Sequence, residues 1–362
     1  MNIEELLKLM VEKKGTDLHL KAGLPPMVRI HGDIEPLIDG VEVLTSQKIK
    51  ELVSKYIGYG EEKKIQENKE FDFACELPGI ARFRGALFIQ KGNYGCVFRT
   101  IPTKIPTLED LNLPPVLKEV ASNKQGLILV TGPTGSGKST TQSAIINYIN
   151  DSFKKNIITI EDPIEYIHTD KKSIINQREI GVDTNTFATA LKSALRQDPD
   201  IILVGEMRDP ETISTAITAA ETGHLVISTL HTNDTKQTID RIIDTFPAEQ
   251  QSQIRFQLSL FLIAVIAQRL IKRKDGSGMV AVLEIMVNTP FIRSLIADNK
   301  TGQISKAIED SASFYKTQSF NQALLALYKD DVITVEEALA TSNNPSDLKI
   351  QIQSVDYAKK GV

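Results

Sequence analysis

Gly132-Pro133-Thr134-Gly135-Ser136-Gly137-Lys138-Ser139-Thr140 fills every fixed position of the pattern G-x-x-x-x-G-K-[ST]. Just before it, Gly126-Leu-Ile-Leu-Val-Thr131 is a short β-branched, apolar run of the kind that forms a buried parallel strand. Just after it, Ala144, Ile145, Tyr148 and Ile149 recur at helical spacing. Strand, glycine loop and helix in that order are the context in which such a loop binds a polyphosphate. The glycines let backbone N–H groups converge on phosphate oxygens, and the helix N-terminus adds its partial positive charge. Lys138 is expected to reach the β and γ phosphates, and the Ser139 hydroxyl to hold Mg²⁺. Gly132, Thr134, Gly135, Ser136, Gly137, Lys138, Ser139 and Thr140 thus form the expected cradle for ATP.

Three further segments supply hydrolytic chemistry. Ile157-Ile-Thr-Ile-Glu161-Asp162 is a β-branched run ending in carboxylates, which puts Glu161 where ligands bind in open α/β sheets, at the C-terminal edge. Asp200-Ile-Ile-Leu-Val-Gly205-Glu206-Met-Arg208-Asp209 is a second such strand. There Gly205 stands where a metal-holding aspartate is usual, so Glu206 is expected to prepare the attacking water. Mg²⁺ would then rest on Ser139, phosphate oxygens and water. Gly223-His224-Leu-Val-Ile-Ser-Thr229-Leu-His231-Thr-Asn-Asp234 is a third apolar strand, with His224 and His231 flanking it. His231, beside Thr232, Asn233 and Asp234, is placed to sense a γ-phosphate.

At 362 residues the chain has room for two cores, and 41% hydrophobic with 24% charged residues is ordinary for a globular protein. A net charge of −4 argues against a dedicated nucleic-acid binder. Two cysteines, Cys75 and Cys96, are too few for a zinc site or a disulfide framework and suit a reducing cytoplasm. No signal peptide is visible. The apolar stretch Leu258–Ala267 is about half the roughly 20 residues of a membrane span and reads as a core helix. Membrane contact is therefore expected only through partners.

Residues 1–100 read as a small α/β domain. An amphipathic helix leads into short strands at Asp17–Leu20 and Pro26–Ile30, a turn at His31-Gly-Asp33 and a polar helical stretch at Ser46–Tyr56. A hairpin of Ile80–Ile89 and Tyr94–Ile101 follows, joined through Lys91-Gly92-Asn93. Four prolines within the 15 residues 101–115 mark an interdomain linker. Residues 116–290 alternate helix and strand as a nucleotide-binding α/β core with a parallel sheet, and 291–362 read as helical, clearest at Phe320–Lys329 and Val335–Thr341.

These elements in this order resemble the secretion and type IV pilus ATPases over almost the whole chain, most nearly the twitching-motility, or pilus-retraction, branch. The resemblance implies a RecA-like P-loop core, a PAS-like N-terminal domain and a ring-shaped homohexamer. It assigns Glu161 to an "Asp box", Glu206 to the Walker B motif, and His224 and His231 to a "His box". It also implies that Arg82, Arg84 and Arg99 approach the nucleotide of a neighbouring subunit, as arginine fingers in trans that elsewhere are worth about 10³–10⁵ in rate. Arg82 and Arg84 are two apart and share a strand face; the register of the facing strand decides whether Arg99 joins them. Assembly-type relatives carry a cysteine-rich zinc element in the C-terminal half, whereas both cysteines here precede Val97. That favours retraction and no zinc. The family's signature A-I-R-N-L-I-R-E is kept here only in part, as Phe291-Ile-Arg-Ser-Leu-Ile-Ala-Asp298. The implied activity is ATP hydrolysis coupled to pilus disassembly at an inner-membrane platform protein, on the membrane's cytoplasmic face, with domain rotation across the linker as the power stroke. The alternatives are a pilus-assembly or type II secretion ATPase, a RecA-like nucleic-acid translocase, and a nucleotide-gated assembly factor that barely hydrolyses.

Overall fold

Asn2 and Glu5 close a capping box on the first helix, Ile3–Glu12: each side chain accepts the other's backbone N–H at 2.9 Å. Ile3, Leu6, Leu7 and Met10 then fall on one buried face of that helix. A computed structural model describes residues 2–30, 32–57, 65, 67–101 and 104–359. They group into two units, Met1–Lys104 with Glu165–Ile167, and Ile105–Ile164 with His168–Val362.

The first unit is built on strands β1 (Asp17–Lys21), β2 (Met27–Ile30), β3 (Asp33–Pro36), β4 (Glu70–Leu77), β5 (Ala81–Gln90) and β6 (Asn93–Ile101). They form one antiparallel sheet in the order β3-β2-β1-β6-β5-β4. The helices Ile3–Glu12 and Ser46–Val53 share with it a core that includes Leu7, Leu18, Ile49, Phe83, Leu87 and Phe98. The expected hairpin is present: Gln90 pairs with Asn93, and Lys91 and Gly92 both have positive φ, the tight turn that matches strand twist. His31 of the expected turn lies outside the described residues, and Asp33 already begins β3. The expected 46–56 helix ends at Val53 and finishes as a short 3₁₀ turn, Ser54–Tyr56.

In the second unit β7 (Gly126–Thr131), β8 (Asn156–Glu161), β9 (Ile174–Glu179), β10 (Ile201–Val204), β11 (Leu225–Leu230), β12 (Leu262–Lys272) and β13 (Met279–Val287) form a seven-stranded sheet, ordered β13-β12-β7-β11-β10-β8-β9. All pairs are parallel except β12–β13. Alternate side chains feed two cores. Leu127, Leu129, Ile158, Ile202 and Val226 face the helices Pro210–Glu221 and Ala248–Phe261, while Ile128, Val130, Ile201 and Ile227 face the helix Lys138–Ser152. Each fully buried side chain of this size contributes about 1.5–3 kcal/mol. Two buried faces explain why these strands read as continuous apolar runs.

The stretch Leu258–Ala267 is not the expected core helix. The helix ends at Phe261, Leu262 turns to φ −65°, ψ 127°, and the chain continues as β12 beside β7. A strand buried on both faces has no polar alternation, so its apolar run mimics a buried helix. The expected linker also differs: Pro102 and Thr103 lie outside the described residues, and from Ile105 the chain groups with the second unit, burying Leu108 and Leu113. The C-terminal helices Phe320–Lys329 and Val335–Thr341 occur as expected, and Phe320, Leu324 and Ala338 pack on Ile271 and Val282 of β12 and β13. Among the described residues no helix is long and apolar enough to cross a membrane.

Candidate functional site

β7, β11, β10 and β8 are parallel and in near-level register, Thr131 beside Leu230 and Val204 beside both Ser228 and Ile160. Their C-terminal ends therefore share one edge, and four segments leave from it: the loop at 132–139, His231, Glu206 and Glu161. The loop's backbone is held by glycine. Gly132, Gly135 and Gly137 have φ of 147°, 80° and 85°. A Cβ on Gly132 would also sit 2.3 Å from the Gln268 carbonyl oxygen.

Gly137 is the N-cap of the helix Lys138–Ser152, so no side chain satisfies the first-turn N–H groups. Ser136 Oγ is buried and without a hydrogen-bond partner. A polyphosphate fits this cradle: it supplies acceptors for those donors, with charge facing the helix N-terminus. Lys138 Nζ donates to the carbonyls of Gly132 and Pro133 at 2.8 and 3.0 Å. Burial holds its pKa below the ordinary lysine value, opposed by the charge of Glu206. Ser139 is exposed at the first turn and Thr140 half-exposed. Thr134 and Gly135 line a recess of 370 Å³ with Arg269, Leu270 and Thr341.

Glu206 follows β10 through Gly205. The Gly205 N–H bonds the Ile160 carbonyl at 2.7 Å, and its own carbonyl accepts from the Thr229 hydroxyl at 2.6 Å. A Cβ there would meet the Ile160 oxygen at 3.1 Å and Glu161 Cα at 3.3 Å, so an aspartate in place of Gly205 would crowd β8. Oε1 of Glu206 is 2.6 Å from Arg208 Nε and 3.3 Å from His231 Nε2. Burial pushes this carboxyl up, but Arg208 and His231 outweigh it and hold it below the usual glutamate range. Glu161 accepts from Thr159 Oγ1 at 2.6 Å and from Gln177 Nε2 at 3.2 Å. Lys138, Glu161, Glu206 and His231 thus converge on one sheet edge.

His224 does not join them. It precedes β11, where its carbonyl accepts from the Gly126 N–H and its Nδ1 lies 2.9 Å from the Ala219 carbonyl. Six strand residues, about 20 Å, separate it from His231. That far end of the sheet also bears a 490 Å³ pocket lined by Gly126, Leu262 and Phe314, remote from the phosphate loop. Arg82, Arg84 and Arg99 belong to the first unit. Arg84 pairs directly with Arg99 across β5 and β6, so the register puts all three on one face. Arg99 Nε donates to Asp17 at 2.7 Å, and Arg84 to Asp72 at 3.3 Å.

Two residues here escaped the sequence reading. Gln268, 2% exposed on β12, accepts from the Thr141 hydroxyl and donates to the Ser136 carbonyl, both at 2.7 Å. Nothing local in the sequence marks it. Arg208 sits two residues after Glu206, and that spacing was its only signal.

Residues 110–340 match the family described as type II/IV secretion system protein. The chain is 47% identical over 347 residues to the type IV pilus retraction ATPase PilT of Pseudomonas aeruginosa, covering 96% of this chain and 100% of that one. It belongs to the type II/IV secretion ATPases. Another relative of this ATPase, a twitching motility protein of Neisseria gonorrhoeae, is 46% identical over 89% of this chain and 86% of its own length. Among solved structures, that of the pilus retraction motor PilT with bound ADP superposes with a TM-score of 0.91 at 45% identity, covering 96% of this chain and 99% of that one. The ATPase DotB of Legionella pneumophila gives 0.81 at 26% identity, over 93% of this chain and 95% of its own. The two units thus carry the family's architecture, a PAS-like N-terminal domain and a RecA-like P-loop core with a helical C-terminal region.

Proposed function

We propose that this ATPase is the motor that retracts type IV pili, working as a ring of six subunits on an inner-membrane platform protein at its cytoplasmic face. The observation that carries the hydrolytic part is the convergence of Lys138, Glu206, Glu161 and His231 on one edge of the parallel sheet. The retraction part is supported by the 47% identity, over 100% of its length, to a protein named for that activity.

In this reading the cradle of Gly132–Thr140 binds the triphosphate, and Lys138 exchanges its two carbonyl partners for phosphate oxygens. Mg²⁺, when bound, would neutralise charge on the β and γ phosphates, with Ser139 as its protein ligand. Glu206 orients the attacking water and takes its proton, while His231 and Glu161 report the γ-phosphate. His224, at the far end of β11, is left outside these roles. Arg82, Arg84 and Arg99 would serve a neighbouring subunit's phosphate, Arg84 and Arg99 exchanging their carboxylate partners for it.

Two experiments test this. Purified Lys138→Ala and Glu206→Gln should both fail to turn over ATP, the second while still binding it. Deleting the gene and imaging the cells should reveal excess surface pili that do not retract; loss of pili would point to an assembly motor instead.

A further inference from the structure

Glu206 meets two cationic or basic side chains, His231 from the end of β11 and Arg208 from its own segment, and its charge also acts on Lys138 of the loop. Arg208 Nε and His231 Nε2 both approach the same oxygen, Oε1. Arg208 is three-quarters exposed and Glu206 is mostly buried, with 75% and 17% of the side-chain surface accessible. The guanidinium therefore reaches in from solvent to hold a half-hidden carboxylate. Asp162, at the end of β8, adds to the field around Arg208.

A residue that orients water needs one fixed rotamer and one open oxygen. Groups closing on Oε1 from two directions supply the fixed rotamer. We infer that Arg208 is a positioning residue for hydrolysis, clamping one oxygen of Glu206 so that the other is presented to the attacking water. Arg208 has no part in binding the nucleotide here; it acts through Glu206. The inference rests on reading Glu206 as the residue that prepares the water. It also accounts for an arginine two positions after the glutamate. The chain bends back from β10 through Gly205, and the Met207 N–H bonds the Thr229 carbonyl at 3.2 Å, which turns residue 208 beside 206.

The test is steady-state ATP hydrolysis by the full chain with Mg–ATP, comparing wild type, Arg208→Ala, Arg208→Lys and Glu206→Gln as pH is lowered. A misplaced catalytic group costs up to about a hundredfold in rate, so Arg208→Ala should lose about ten- to a hundredfold in kcat with KM within about twofold. Without the guanidinium, one of the two groups that oppose the burial of this carboxyl is lost, so the acidic limb of the kcat profile should move to higher pH. Arg208→Lys, which keeps a charge and one donor, should restore the limb and part of the rate. Wild-type kcat and an unmoved limb in Arg208→Ala, with Glu206→Gln inactive, would overturn the role of Arg208 alone. A rise in KM matching the loss of kcat, with the limb unmoved, would overturn it too, since Arg208 would then act in binding. Turnover by Glu206→Gln would overturn the role of Glu206 and, with it, that of Arg208.

Discussion

Gln268→Leu probes how firmly the phosphate cradle is tied to the sheet. The native side chain is 2% exposed and makes two buried bonds of 2.7 Å, one to the Thr141 hydroxyl and one to the Ser136 carbonyl. Leucine fills similar space but leaves both partners buried without a bond, each costing about 1–3 kcal/mol. Added apolar burial offsets about 1 kcal/mol, for a net loss near 3 kcal/mol. For a unit of this size that lowers the thermal midpoint by about 5–10 °C. The Ser136 carbonyl would also lose the bond that fixes the loop's shape. If the competent loop is then populated about a tenth of the time, nucleotide affinity falls about tenfold. Thermal unfolding and titration with a fluorescent ADP analogue measure both effects, and kcat at saturating ATP should stay within about threefold of wild type. Combining Gln268→Leu with Thr141→Val should cost less than the sum of the two, because they share one bond. A midpoint shift below about 2 °C together with unchanged affinity would refute the tie between Gln268 and the loop.

The loop's backbone is a second target: Gly132→Ala places a Cβ 2.3 Å from the Gln268 carbonyl at a φ of 147°, and should abolish ADP binding in the same titration. Gly205→Asp, which restores the more usual residue, should destabilise by about 1–3 kcal/mol in urea melts, because its Cβ meets the backbone of β8 at 3.1 and 3.3 Å. His168 gives a pH dependence. Burial, aided by Lys171, lowers its pKa from 6.5 to about 4. The neutral ring is the folded form, so its stabilisation is full above pH 6.5 and is lost as pH falls toward about 4. Relative to His168→Gln, the wild type should lose up to about 3 kcal/mol across that interval in urea melts. Parallel pH curves for the two proteins would contradict it.

Local chemistry was the most legible part. The phosphate loop and His231 follow an apolar strand directly, Glu161 ends one and Glu206 follows another with only Gly205 between, so strand ends mark the candidate site. Parallel pairing then levels those ends, a consequence of topology that needs no further signal. Features that depend on distant residues were not legible. Gln268 reaches the loop from a strand 127 residues beyond Thr141. Arg99 joins Arg84 only because β5 and β6 pair in one of two registers. The apolar run of β12 hid a strand because both its faces are buried. β4 was passed over although Phe71, Phe73, Cys75 and Leu77 alternate with Glu70, Asp72, Ala74 and Glu76 along it, a period-two signal present in the sequence. His224 shows the converse: its motif is as clear as that of His231, yet the two lie at opposite ends of one strand.

The central claim is that hydrolysis prepared by Glu206 drives retraction. It is tested most directly in living cells whose only copy of the gene carries Glu206→Gln, by imaging labelled pili and counting retraction events. The account predicts pili that extend, accumulate and do not retract. Retraction at the wild-type frequency, or cells without pili, would contradict it.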